Sequence, residues 1–338
     1  MSAKHTMHRA VLLAGCAMVT AIAMVPRSAE AGCNSGNVAN TDLLSSANCE
    51  AAAGGSNATA VGFQASASSQ NSAAYGFNST ASAIAGSAYG AGSTAGGTSS
   101  SAFGVTSTAS GNGSSAFGNV SLASGTQSSA FGASSTASGA FSSAYGTLST
   151  ASGLSSSAYG DFATASATNA NALGGGGDGA ITFGARATNT NATAVGFNSL
   201  ASGASSVAVG DTSLAIGASS VAIGGGGDGV TTFGARATST DTTAVGFNSQ
   251  ASAQNSSAYG SSSTASGFAS SAYGLGSTAS GDVSSAFGSS SMASGVGSSA
   301  FGDVAHATGN RSSAFGINST ASGDFSSSFG WNSTASGV

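Results

Sequence analysis

The sequence predicts an all-β chain, a parallel β-roll or solenoid wound from 14-residue coils. Three observations predict it. The 338 residues include 53 Gly, 1 Pro and only 5% charged residues. An apolar residue followed by Gly recurs every 14 residues from Val61 to Leu173, and again from Val245 to Phe329. Inside each unit Gly recurs every seven, as at Gly104, Gly111, Gly118 and Gly125.

Composition excludes the common alternatives. An ordinary globular enzyme carries about a quarter charged residues. Disordered chains are rich in charge and Pro, and collagen needs Gly at every third position with abundant Pro. The formal charge of −5 leaves no basic stripe for nucleic acid or anionic lipid.

The chain opens on Lys4 and Arg9, then an apolar run from Ala10 to Val25, then Ala29-Glu30-Ala31. This is the layout of a signal peptide over 1–31, cleaved after Ala31. Roughly 16 apolar residues fall short of the ~20 that a membrane span needs. Leu13-Ala14-Gly15-Cys16 has the form of a lipoprotein box, but Cys16 lies inside the apolar run. Beyond the leader, three arginines against ten carboxylates leave −7. Residues 32–56 form an N-terminal cap segment holding two cysteines. An even count in an exported chain predicts a Cys33–Cys49 disulfide, worth about 3 kcal/mol in the loop-entropy model.

From 57 to 338 the repeat dominates. A typical unit is SAFGNVSLASGTQS at 115–128, two halves of the form S-x-A-x-G-x-x. A heptad of Ser, Ala and Gly makes no coiled-coil seam, and one Gly per seven residues disfavours helix. A five-residue strand with a two-residue turn fits. Alternate side chains face opposite ways, so Ser, Ala and Gly share one face and the two x residues share the other. Stacked coils then form two ladders with rungs about 4.8 Å apart.

The small face is expected to line a thin interior, with the aromatics outside on one sheet. The alternative puts the aromatics inside and Ala outward. An exposed apolar stripe implies a partner. Its candidate members are Tyr89, Phe103, Phe117, Phe131, Tyr145, Tyr159, Tyr259, Tyr273, Phe287, Phe301, Phe315 and Phe329.

The register breaks twice, near 174–195 and 224–245, in copies 50 residues apart. Each copy reads GGGGDG, then TFGARAT, then TAVGFNS. We read GGGGDG as a shortened turn or an inserted kink. Asp178 and Asp228 fall one place early for a calcium-binding glycine repeat, and no Lys-Ser/Thr follows the glycines as a phosphate loop requires.

The segments SVAVG (206–210) and SVAIG (220–224), with the many SAFG and SAYG variants, resemble the head repeats (Hep/Hag type) of YadA-like trimeric autotransporter adhesins. The resemblance covers 57–338. It implies a left-handed parallel β-roll that forms a homotrimer, with the aromatic stripe buried between three copies. It also implies a Gram-negative surface or outer-membrane location, and attachment to host matrix, host cells or other bacteria. Such heads are usually followed by a neck, a coiled-coil stalk and a strand-rich membrane anchor. The sequence reaches Val338 within a repeat. The expected location is therefore the cell surface if an anchor lies downstream, and otherwise the periplasm or the medium.

No enzyme is expected. His306 is the single histidine beyond the leader, at a tolerated surface position, and no G-x-S-x-G set has His and Asp partners. No cofactor, metal ligand set or nucleic-acid contact is expected, nor a membrane-spanning segment beyond the leader. Asp161, Asp211, Asp282, Asp303 and Asp324 read as solvated turn residues. The N-x-S/T sites, such as Asn78 and Asn318, read as chance matches in Ser/Thr-rich repeats. Two other readings remain: a purely structural surface filament, and an ice-binding solenoid using rows such as Thr136, Thr150 and Thr164.

Overall fold

The computed structural model describes residues 34–36, 51–177, 183–227 and 233–337. The leader, Cys33, Cys49, Asp178 and Asp228 lie outside the described residues.

Every described strand from Ala52 onward follows the repeat. In the unit starting at Ser101, the strand Ser101–Phe103 precedes a turn, and Thr108–Ala109 precedes the next. Outside the two lengthened segments, each repeat strand pairs in parallel with its equivalent 14 residues on, as Phe103 with Phe117 and Thr108 with Leu122. Among the described residues the first set forms a 20-stranded sheet. The second set makes a matching ladder along the other side. The result is a parallel β-solenoid of about 20 coils. At its start, Asn34–Gly36 pairs antiparallel with Thr59–Val61.

The interior is the small face. Ala102, Ala109, Ala116 and Ala123 are fully buried, as are Ser100, Ser107 and Ser114. Among the described residues no side chain larger than Thr is fully buried, so the two sheets lie close together. Burying Ala gains little per residue. What holds the coils is the backbone ladder, which continues through the turns. Thr106 donates its N–H to the Ala91 carbonyl at 2.8 Å, and Val120 does the same to Val105 at 2.9 Å.

The strands are two or three residues long, shorter than the five expected. In most coils one of the two turns is closed by side-chain and glycine chemistry, whereas the Ser100, Ser114 and Ser128 hydroxyls in the alternate halves have no hydrogen-bond partner. There the inner Ser closes the turn: the Ser107 hydroxyl donates to the Gly104 carbonyl at 3.0 Å. Gly104 itself leaves the strand at φ 134°. Each turn also holds one left-handed residue every seven, including Thr106, Val120 and Phe141. That conformation costs a non-Gly residue about 1–2 kcal/mol, offset here by the ladder bond that its N–H makes.

Both lengthened segments keep the register. Leu173 pairs with Val195 and Thr164 with Arg186, so the ladders run through without interruption. Asn169 bonds Asn191 across 22 residues, where other coils repeat at 14. The turn after Gly174 is thus longer than its neighbours, which overturns the shortened turn and leaves the inserted segment. The turn after Gly224 repeats this, with Ile223 paired to Val245.

Candidate functional site

The outward face of the three-residue strands carries one unbroken apolar column. Parallel, in-register pairing places each equivalent residue directly over the next. Tyr75, Tyr89, Phe103, Phe117, Phe131, Tyr145 and Tyr159 stack with ring centroids 4.7–4.9 Å apart. Tyr259, Tyr273, Phe287, Phe301, Phe315 and Phe329 form a second run, 4.7–5.3 Å apart. Between the runs the column continues as Leu173, Val195, Val209, Ile223 and Val245. All twelve candidate stripe residues therefore sit in one line. Each stacked pair contributes roughly 0.5–1.5 kcal/mol beyond its buried area.

The rings protect each other's faces but leave their outer edges open. Tyr89 is 36% exposed, Tyr159 41% and the last, Phe329, 69%. Burial raises the Tyr89 phenol pKa, and the neighbouring Tyr75 adds to the rise. Tyr273 is raised in the same way, by burial and then by Tyr259. A folded-state pKa above the unfolded value of about 10 means stability present below that pH and lost as pH rises through the folded value. Titration resolved for Tyr89 and Tyr273 should therefore show these two phenols ionising above the free-tyrosine range, with unfolding at lower urea concentration on the alkaline side. Titration at the ordinary value, with flat stability, would contradict the burial.

The opposite sheet presents a different surface. Its outward column runs Thr80, Thr94, Thr108, Leu122, Thr136, Thr150 and Thr164. Met292 and His306 interrupt it further on. Ser110 and its equivalents flank the column. In the middle coils it changes to Arg186, Leu200, Leu214, Arg236 and Gln250. These two arginines are the residues that reading the sequence overlooked as a pair. The signal was available: the 50-residue copies place each one three residues after a Phe.

The carboxylates serve the turns. Asp161 accepts the Thr147 N–H at 2.8 Å, Asp211 the Phe197 N–H at 3.1 Å and Asp282 the Phe268 N–H at 2.9 Å. Each ties one coil to the preceding one. Among the described residues no three His, Cys, Asp or Glu side chains gather as a metal site, and no helix is long and apolar enough to cross a membrane.

Comparison with known proteins agrees with the repeat. The family described as YadA head domain repeat matches the chain in successive segments between 53 and 333, including 53–79, 95–121, 123–149, 237–263, 279–305 and 307–333. Together the matches cover more than half of the chain. No curated protein matches it.

Proposed function

The chain belongs to the YadA head domain repeat family, and on that premise we propose that it is the projecting head of a trimeric surface adhesin. The observation that carries this reading is the one-sided apolar column. Three copies packed around an axis bury their columns together, with the rings of each rung meeting at one height. The Thr/Ser sheet then faces outward. On this reading residues 1–31 export the chain and 32–56 cap the roll, with Cys33 and Cys49 joined. The roll of about 20 coils at ~4.8 Å extends about 95 Å, enough to project a binding surface towards host matrix, host cells or other bacteria.

Assembly and adhesion are tested together. Light scattering of residues 32–338 should give three times the chain mass, and beads coated with the assembly should adhere to cells or matrix protein. Phe117→Asp should dissociate the trimer, because it places an unpaired charge in the buried column. Thr108→Asp, on the outward sheet, should leave it intact. A stable folded monomer at micromolar concentration, or equal effects of the two variants, would count against the column as the contact. A trimer that adheres to nothing would favour a purely structural filament.

A further inference from the structure

The two lengthened turns place the same pair of residues at the same position three coils apart. The Arg186 guanidinium lies over the Phe183 ring at 4.5 Å, and that of Arg236 over Phe233 at 4.9 Å. Both arginines stand in the outward column where most coils have Thr, with Leu200 and Leu214 on the rungs between them. Ile216, 43% exposed, borders the same stretch. The Nε of each arginine is buried without a hydrogen-bond acceptor. Burial also lowers the Arg186 pKa. A partly buried guanidinium over a ring, with its Nε unpartnered, is costly unless an anion meets it. The column therefore has a cation at each end and an apolar floor between, with Thr164 before it and Gln250 after it.

We propose that this Arg–Leu–Leu–Arg patch binds an extended acidic peptide segment of a partner protein. Its carboxylates stand four residues apart with an apolar side chain midway. The spacing selects it. Three rungs put the arginines about 14 Å apart along the roll. An extended strand advances ~3.3 Å per residue with alternate side chains on one face, so positions i, i+2 and i+4 share a face over about 13 Å. The two carboxylates meet the two guanidinium groups, and the middle side chain covers Leu200 and Leu214. The patch lies on the sheet opposite the aromatic column, so it stays open in a trimer. It names a partner for the adhesive reading and rests on that reading.

The test is calorimetric binding of the peptide Glu-Thr-Leu-Thr-Glu to the trimer of residues 32–338. Expected are saturable binding that weakens with salt, and an affinity loss of about tenfold or more for R186Q and for R236Q. The exposed control R311Q should bind as the parent does. A peptide with its carboxylates three residues apart, and one with Gln for Glu, should bind at least about tenfold more weakly. Several results overturn the proposal: indifference to carboxylate spacing, equal loss in R311Q, or binding of a sulfated polysaccharide but not the peptide. So does a fall in thermal stability of R186Q and R236Q with unchanged binding, which leaves the arginines as fasteners of the lengthened turns. Light scattering on the same samples separates the readings: an intact trimer that ignores the peptide removes the patch alone, and a peptide-binding monomer removes the trimer alone.

Discussion

Gly118→Ala is expected to break the roll locally, with a loss of more than about 3 kcal/mol. Two costs add. Gly118 sits at φ 134°, which side chains rarely adopt, and a Cβ there would meet the Gly132 carbonyl oxygen. That oxygen belongs to the next coil, so relief requires separating two rungs of the ladder. Gly113→Ala is the control. Its φ is 67°, a conformation already held by Thr106 and Val120, and its Cβ would first meet the flexible Gln127 side chain at 3.4 Å. It should cost about 1 kcal/mol. Hydrogen exchange resolved by coil is the suitable measurement, because repeat proteins lose stability locally. Equal protection in the two variants would refute the stacking argument.

Ala116→Leu is expected to have the other large effect. Ala116 is fully buried, paired in its ladder with Ala102 and Ala130, both also fully buried. Leucine adds three heavy atoms where the walls are Ala and Ser. Overpacking costs about 1–3 kcal/mol even in cores with larger, more adaptable side chains. Here the two sheets can make room only by moving apart, and backbone ladders resist that along several coils. Thr108→Leu, on the outside, should be almost neutral, since Leu122 already occupies the next rung of that column. Thermal unfolding should fall well below the parent for Ala116→Leu and stay near it for Thr108→Leu. The reverse order would mean that the small face is not the interior.

Much of this architecture was legible because the period sets the register. Once Phe103, Phe117 and Phe131 are seen 14 residues apart, stacking in line follows without further information. The inward direction of Ala followed from alternation, although composition alone left the aromatic interior open. Strand length was not legible. The Ser hydroxyls that close turns, as Ser107 and Ser121 do while Ser100 and Ser114 do not, and the Gly that exits the three-residue strand are compatible with extended backbone in the sequence, and only the hydrogen bonds and dihedral angles distinguish them. The left-handed turn residue was hidden for a related reason. Asn71 and Gly113 suggest it, but Phe141 and Val120 at equivalent positions do not. There the ladder bond overrides local preference. At Gly174 the shortened turn was the wrong one of the two readings, because Phe183, followed by Gly, looks like a column residue between Leu173 and Val195, whereas it lies outside the strand pairing.

The ladder bonds have a mechanical consequence. They run between coils, along the roll, so tension applied end to end opens them one rung at a time and never loads many together in shear. A coil that opens releases its 14 residues. Folded, it spans one rung of about 4.8 Å; pulled straight, its chain reaches about 48 Å. Each yielding coil thus lengthens the tether roughly tenfold over its own height and relaxes the force on the rest. The weakest coils are those least supported by stacked rings, in the aliphatic middle. A roll of this design extends under load by paying out chain in small steps, 14 residues from an ordinary coil and 22 from each lengthened one, as a shock absorber does.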